Sequence, residues 1–193
     1  MRLEKLKDGE LISKFNSTGR DKHFGELMSR YNDKLFNYII RKVGNMENAK
    51  DIYQNTWLKI ANSLPKYKDE GKFSNYLFFV ATNASYDHFR KIRKDNENLY
   101  YKPASADEDG KNDQIESLRS NDLNPEEENI EIESKEFVSD AISELPENQR
   151  EVILLRSEGF SFKEIAEMTN VSINSLLSRY RYGIDKIKKM MKV

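Results

Sequence analysis

The chain has 193 residues, a formal net charge of −1 and no cysteine. This length suits one domain or two small ones, and the lack of cysteine excludes disulfides and thiolate metal sites. The N-terminal residues lack the apolar segment of a secretory signal, and the apolar run at 77–81 is too short to span a bilayer. We therefore expect a soluble protein of the reducing cytoplasm, with no membrane partner.

Charge is distributed unevenly along the chain. Residues 107–136 contain 12 acidic and three basic residues, a local balance of −9. One basic cluster precedes this stretch, at Arg90, Lys91, Arg93 and Lys94, and another follows it, at Arg179, Arg181, Lys186, Lys188, Lys189 and Lys192. Two basic helical ends around an acidic connector indicate two contacts with a polyanion, although either cluster alone is equally compatible with a solvated helix end.

The first half of the chain has apolar residues at helical spacing and no period-two strand pattern. This spacing predicts helices over 23–44, ended by Gly44, over about 47–64, ended by Pro65, and over about 73–94. A polar loop at 66–72 precedes the third helix. The predicted core residues are Leu27, Tyr31, Leu35, Tyr38, Ile39, Ala49, Ile52, Tyr53, Thr56, Trp57, Ile60, Leu64, Leu77, Val80, Ala81, Ala84 and His88.

The middle of the chain, from 95 to about 134, is polar and acidic. Such a stretch cannot bury enough apolar surface to offset its ordering entropy, although Ile115 and Leu118 would allow one short docked helix. Helical spacing resumes at Phe137, Ala141 and Leu145. We predict an all-α protein with an N-terminal extension (1–23), a first helical domain (24–95), a flexible acidic linker (96–136) and a second helical domain (137–193).

The second domain ends in a predicted helix-turn-helix. Ser161 and Glu164 have the spacing of a capping box, which predicts a helix start, and Asn170 suits a left-handed turn. Ser172 is predicted to cap the last helix. The predicted core of these helices includes Val152, Ile153, Leu155, Ile165, Ala166, Met168, Leu176, Tyr180, Ile184, Ile187 and Met191.

The start of the last helix carries a polar face opposite this core. Its members are Asn174, Ser175, Ser178, Arg179 and Arg181. Short hydrogen-bonding side chains and guanidinium groups suit base edges and phosphates, and a recognition helix inserts its N-terminal turns into the major groove. The alternative is a three-helix core with an ordinary polar surface.

Residues 145–189 closely resemble region 4 of the sigma-70 family of transcription initiation factors. The matching residues are Leu145, Pro146, Arg150, Val152, Leu155, Arg156, Ile165, Ala166, Ser178 and Arg179. The resemblance implies that this domain reads the −35 promoter element. Leu177 stands where the family often has lysine, and a leucine can touch a thymine methyl but cannot bind guanine or phosphate.

Residues 48–67 resemble region 2.2 of the same family, with matches at Asp51, Gln54, Thr56 and Trp57. By resemblance, Asp51, Gln54 and Asn55 face the clamp helices of the RNA polymerase β′ subunit. Asn55 replaces the usual acid. Without the resemblance, these three residues would be interpreted as a solvated face.

Residues 72–94 resemble regions 2.3 and 2.4, with matches at Phe73, Leu77, Ala81, Asn83, Asp87 and Arg90, and with Tyr76 in place of a tryptophan. Aromatic, amide and basic residues also recur along this helix in a way that suits single-stranded DNA. The residues predicted to contact the −10 element are Tyr76, Asn83, Tyr86, Asp87, Arg90 and Lys91. Phe79 belongs either to this face or to the core. The loop at 66–72 would enclose a flipped base, as the corresponding loop does in the family.

Nothing in the sequence indicates catalysis. His23 and His88 lack a partner at metal-ligand spacing, and no phosphate loop or nucleophile motif is present, so we expect no metal, no cofactor and no enzymatic activity. His88 is predicted to be half-buried.

The two resemblances together, in a chain without room for further regions, are those of the compact extracytoplasmic-function (ECF) group of sigma factors. They imply core RNA polymerase (β′ clamp helices and β flap) and promoter DNA as partners, and, for many members, an anti-sigma factor. Two other functions stay open: an ordinary DNA-binding regulator that works without polymerase, and a sigma-like decoy that occupies polymerase and starts nothing.

Overall fold

The structure, a computed structural model, describes residues 3–19, 21–99 and 135–191, and within these ranges it contains helices and no strand. The helices are α1 (Asp8–Thr18), α2 (Asp21–Val43), α3 (Met46–Ser63), α4 (Phe73–Leu99), α5 (Lys135–Ser143), α6 (Glu147–Ser157), α7 (Phe162–Thr169) and α8 (Ile173–Met191). Short 3-10 turns occur at Leu3–Lys5 and Leu64–Lys66. The all-α prediction is confirmed. Most of the predicted linker, with Ile115 and Leu118, lies outside the described residues.

The first domain packs α2, α3 and α4 around a common core. Gly44 ends α2 with a positive φ, as its position predicted, and Pro65 lies in the 3-10 turn after α3. Most of the predicted core is buried, whereas Tyr31, Tyr53 and His88 are half-buried. Phe79, for which two positions were open, is 41% exposed and therefore lies outside the core.

Helix α1 was not predicted, although it packs into this domain. It buries Leu11 and Ile12, and the Asn16 amide donates to the Leu64 carbonyl at 2.8 Å. Its N-terminus faces the loop at 66–72, where a methyl group added at Gly9 would overlap the Asp69 carboxylate. With only two buried positions, α1 offers too short an apolar stripe to be recognised from periodicity.

The second domain packs α5, α6, α7 and α8, with a run of five buried residues at 151–155 in α6, of which the last four are apolar. The capping box is present, because the Ser161 hydroxyl accepts from the Glu164 amide at 3.3 Å and the Glu164 carboxylate accepts from the Ser161 amide at 2.8 Å. Asn170 has φ 56°, which confirms the left-handed turn. Ile165, Met168, Leu176 and Ile187 are buried as predicted.

Four residues of the predicted second core are less buried than expected. Ala166, Tyr180 and Ile184 are half-buried, and the prediction for Met191 is wrong because its side chain is 37% exposed. The last turn of α8 instead packs Met190 against the core, one residue earlier. The side chain of Phe137 lies outside the described part of the structure.

The two domains pack against each other, whereas the sequence predicted two modules on a tether. Helix α6 contacts α2, and α7 contacts α4. Phe78 of α4 and Phe160, between α6 and α7, meet edge to face with ring centroids 5.0 Å apart. A buried ion pair joins Lys42 of α2 to Glu151 of α6. We call this the closed arrangement.

Candidate nucleic-acid and polymerase interfaces

The predicted single-strand face begins at the N-terminal end of α4. Tyr76 stacks on Tyr67 of the preceding loop, with ring centroids 4.7 Å apart and planes 20° apart. The two rings line an open cleft of about 260 Å³, which Phe79 and the loop residues Lys68 and Lys72 also line. Aromatic rings beside cations are the combination that stacks bases and holds phosphates. Tyr67 therefore joins the predicted face, and Phe79, for which the sequence left the face and the core open, lies on the same cleft.

Tyr67 is fixed by its neighbours. Its ring lies edge to face with Phe73 at a centroid distance of 6.0 Å. Burial, together with the nearby Asp69 carboxylate, raises the pKa of the Tyr67 hydroxyl to about 12. The raised pKa keeps this phenol neutral well into the alkaline range, so it does not repel a phosphate.

Farther along α4, the predicted residues differ in what they contact. Asn83 is within reach of solvent, and its amide donates to the Phe79 carbonyl at 3.0 Å. Asp87 lies between Lys59, at 3.2 Å, and Arg90, at 3.5 Å, in an exposed cluster. Arg90 and Lys91 are exposed. Exposed ion pairs are worth little, so these groups are available to another partner.

Tyr86 is the exception on this helix. It is half-buried, and its hydroxyl donates to the Glu151 carboxylate of the second domain at 2.5 Å. Burial and the Glu151 charge raise the pKa of the Tyr86 hydroxyl. In the closed arrangement this hydroxyl is already occupied, which the sequence could not indicate.

The start of α8 presents the predicted duplex-reading residues to solvent. Asn174, Ser175, Leu177, Ser178 and Arg181 are exposed, and Arg179 is half-exposed. The Ser172 hydroxyl accepts from the Ser175 amide at 3.2 Å and so caps the helix, as predicted. The structure adds Ile173, which like Leu177 is 44% exposed and lies four residues earlier on the same side of the helix.

Asp51, Gln54 and Asn55, the predicted polymerase contacts, are exposed on α3. Gln54 borders an open groove of about 610 Å³ between α2 and α3, which Phe36 and Tyr53 line with rings 5.6 Å apart. Polar residues flanking an aromatic pair form a surface suited to a protein partner. Phe36 could have been found from its position on α2, but a partly buried aromatic on a helix is usually interpreted as core.

The sequence missed the residues that join the domains: Lys42, Asn75, Glu151 and Glu164. The Asn75 amide donates to the Glu164 carboxylate at 2.7 Å, and this hydrogen bond is the main cause of a lowered pKa for Glu164. A lysine in the last turn of a helix, such as Lys42, is expected to interact with the helix dipole, and Glu164 is expected to complete the capping box with Ser161. Each therefore had a complete local explanation.

Among the described residues, no group of three His, Asp or Glu side chains is arranged to hold a metal ion. No helix in these ranges is both long and apolar enough to cross a membrane. His88 is half-buried, as predicted.

Family models match both domains. The description of the first is sigma-70 region 2, over residues 27–95, and that of the second is sigma-70 region 4, over residues 138–181. The first match begins after α1, which therefore lies outside the shared pattern.

Relatives and solved structures match over most of the chain. The ECF RNA polymerase sigma factor SigW of Bacillus subtilis is 25% identical over 170 residues, which cover 88% of this chain and 89% of the relative. The ECF RNA polymerase sigma-E factor of Haemophilus influenzae is 29% identical over 179 residues, covering 91% and 90%. The sigma factor RpoE from Bartonella quintana, solved with the anti-sigma factor NepR, matches with a TM-score of 0.64 and 20% identity, over 89% of this chain and 98% of that one. CnrH, solved with the cytosolic domain of CnrY, matches with a TM-score of 0.62 and 20% identity, over 96% and 97%.

Proposed function

This chain is a sigma factor of the sigma-70 family, of the ECF group, that directs transcription initiation, and we propose that it does so by capturing unpaired −10 bases with its first domain and reading the −35 element with its second. The observation that carries this proposal is the stacked pair Tyr67 and Tyr76 at the mouth of a cleft, on the helix that also bears Asn83 and Arg90.

The energetics of opening a promoter fit this face. Each DNA stacking step is worth about 1–2 kcal/mol, so opening a few A·T pairs costs several kcal/mol. Each base stacked on an aromatic ring regains about 1–3 kcal/mol. Tyr67, Tyr76 and Phe79 offer such rings, and the Asn83 amide offers donors and an acceptor for a base edge. A few captured bases would therefore offset the free-energy cost of opening the pairs without any other source of free energy.

The start of α8 supports the second half of the proposal. Arg179 and Arg181 suit guanine or phosphate, and Asn174 suits adenine. Leu177 and Ile173 are apolar, so at their positions contact with thymine methyl groups replaces hydrogen bonding. We propose that this helix enters the major groove at its N-terminal turns.

Three protein contacts complete the proposal. Asp51, Gln54 and Asn55 would bind the β′ clamp helices, with the groove at Phe36 and Tyr53 beside them. The second domain would bind the β flap. An anti-sigma factor is the third partner. The neighbour RpoE was solved in complex with the anti-sigma factor NepR, and the neighbour CnrH in complex with the cytosolic domain of CnrY.

The test is run-off transcription with purified core polymerase, followed by start-site mapping of the reconstituted holoenzyme. We expect defined start sites with a common pair of upstream elements. Alanine at Asn83 or Tyr76 should reduce promoter opening more than polymerase binding. A holoenzyme that forms but starts no transcript would indicate the decoy, and tight promoter binding without polymerase would indicate an ordinary regulator.

A further inference from the structure

Lys42 lies in an unusual place for a lysine. It belongs to the last turn of α2, its residue is only 2% exposed, and its ammonium group donates to the Glu151 carboxylate of the second domain. The same ammonium lies 4.4 Å from the centroid of the Tyr86 ring. The Tyr86 hydroxyl donates to the other oxygen of Glu151 at 2.5 Å. One carboxylate therefore accepts from a cation and a phenol at once.

A buried ion pair is a weak way to hold two domains together. Removing two charges from water is unfavourable, and apolar residues of similar size often stabilise an interface better. When the domains separate, water solvates Lys42 and Glu151 again, so neither half is left with a buried, unpaired charge. The pair therefore suits an interface that opens.

The surface under Glu151 has the chemistry of a phosphate site. The two oxygens of a carboxylate stand in for the two non-bridging oxygens of a phosphodiester, and an ammonium and a hydroxyl are donors that such oxygens accept. Tyr86 lies three residues after Asn83 on α4, a spacing that places both on one side of the helix. A strand that follows Tyr76 and Asn83 would next reach Tyr86 and Lys42.

The second domain also approaches the other end of this face. Glu164 of α7 accepts from Asn75 at 2.7 Å, and Glu164 and Glu167 line the cleft that Tyr67 and Tyr76 share. Glu70 of the first domain also lines this cleft, and the two carboxylates of the second domain add to its repulsion of a phosphate backbone. In the closed arrangement acidic groups of the second domain therefore stand at both ends of the single-strand face.

We propose that Lys42 and Tyr86 form a binding site for a backbone phosphate of the unpaired promoter strand, and that Glu151 occupies this site in the closed arrangement. The second domain and the DNA strand then compete for one surface, and the domains separate before the strand binds. This inference rests on the proposed function, because it extends the same face of α4 onto α2.

The first experiment measures the salt dependence of strand binding. Holoenzyme carrying Lys42→Gln is titrated with a fluorescent oligonucleotide of the mapped non-template −10 strand at several KCl concentrations. Loss of one phosphate contact should reduce the slope of log affinity against log salt by about 0.7. The slope is the readout because Lys42→Gln also removes the ion pair that holds the competing closed arrangement, which offsets part of the loss in affinity. Lys42→Arg, which keeps the charge, should retain the slope. An unchanged slope in Lys42→Gln would overturn the proposal.

The second experiment locks the closed arrangement. Because the chain has no cysteine, Asn75→Cys with Glu164→Cys places one pair of thiols on the facing helices α4 and α7, and the oxidised chain is purified after non-reducing electrophoresis has shown the intramolecular disulfide. The oxidised chain, added to core polymerase, should open promoters at least tenfold less than the same chain after reduction. The two single-cysteine variants are the controls and should respond to neither treatment. Equal opening by the oxidised and reduced forms would contradict the competition.

The two proposals fail in different ways. Wild-type holoenzyme that starts no transcript would overturn the proposed function, and this inference with it. Wild-type holoenzyme that opens promoters, alongside a Lys42→Gln variant with the wild-type salt slope, would leave the proposed function intact and overturn only the phosphate site.

Discussion

The two predicted DNA faces differ in how accessible they are in the closed arrangement. The start of α8 is exposed, and its hydrogen bonds serve only its own cap. The face of α4 is open at Tyr76 and Asn83 but covered at Asn75 and Tyr86 by the second domain. Duplex promoter DNA is present from the start, whereas an unpaired strand exists only once the promoter has opened. A preformed face for the first and a covered face for the second match that order.

The largest effect that tests this contrast is expected at Tyr76. Alanine removes a stacking ring worth about 1–3 kcal/mol per base, so promoter opening should fall about tenfold to a hundredfold. Permanganate footprinting of the opened strand measures the change. Tyr76→Phe keeps the ring and is the control, with opening close to wild type. If alanine and phenylalanine behave alike, the ring does not stack a base.

The next prediction tests how closely α8, the proposed duplex-reading helix, packs against α6. A methyl group at Gly183 of α8 would come within 2.6 Å of the Ile153 side chain of α6, so Gly183→Ala should lower the free energy of unfolding by about 1 kcal/mol, after the gain in helix propensity. Urea denaturation followed by circular dichroism measures it.

Gly25 provides the matched comparison in the first domain. It also lies within a helix, but an added methyl group meets no atom within 4 Å. Gly25→Ala should therefore raise the free energy of unfolding by up to about 1 kcal/mol. Equal effects at Gly25 and Gly183 would show that α8 does not approach α6 as closely as described.

A smaller change is expected when Leu177 is replaced by the lysine that the family often has. Leu177→Lys adds one phosphate contact, so the slope of log affinity against log salt for promoter duplex should steepen by about 0.9. Filter binding of holoenzyme measures this slope. Leu177→Met keeps an apolar side chain and should leave it unchanged. A lysine variant with the wild-type slope would mean that this position does not face the duplex backbone.

The smallest effect concerns Glu164. Its pKa is lowered chiefly by the Asn75 hydrogen bond, which exists only in the closed arrangement. The stability that this bond gives to closure is present above the usual carboxylate pKa and is lost as the pH falls through the lowered one. Asn75→Ala should therefore raise the Glu164 pKa, as a carbon-detected NMR titration would measure. An unchanged pKa would place the two domains apart in solution.

Local features of this molecule were predictable because their causes are local. The capping pair Ser161 and Glu164, the left-handed Asn170 and the buried face of α3 each depend on residues within a turn or two of chain. The same holds for the exposure of Asn174 and Arg181, which follows from the spacing of the core residues of α8.

Contacts between distant parts of the chain were not predictable. Lys42 and Glu151 are 109 residues apart, and each has an ordinary explanation where it stands. Tyr86 was expected to face DNA, yet its hydroxyl is bonded to the second domain. Periodicity indicates which side of a helix is buried, but it does not indicate against which partner.

Helix α1 has a practical consequence for anyone dividing this protein. Phe15 of α1 stacks on Phe24 at 5.2 Å, and Phe24 in turn meets Trp57 at 5.7 Å. A fragment trimmed to the matched residues 27–95 would lose both phenylalanines and expose more of the Trp57 indole. It would also lose Gly9, which lies close to the Asp69 side chain of the loop. Such a fragment would be prone to aggregate because of this exposed apolar surface. A low DNA affinity measured on the fragment would therefore not describe the intact protein.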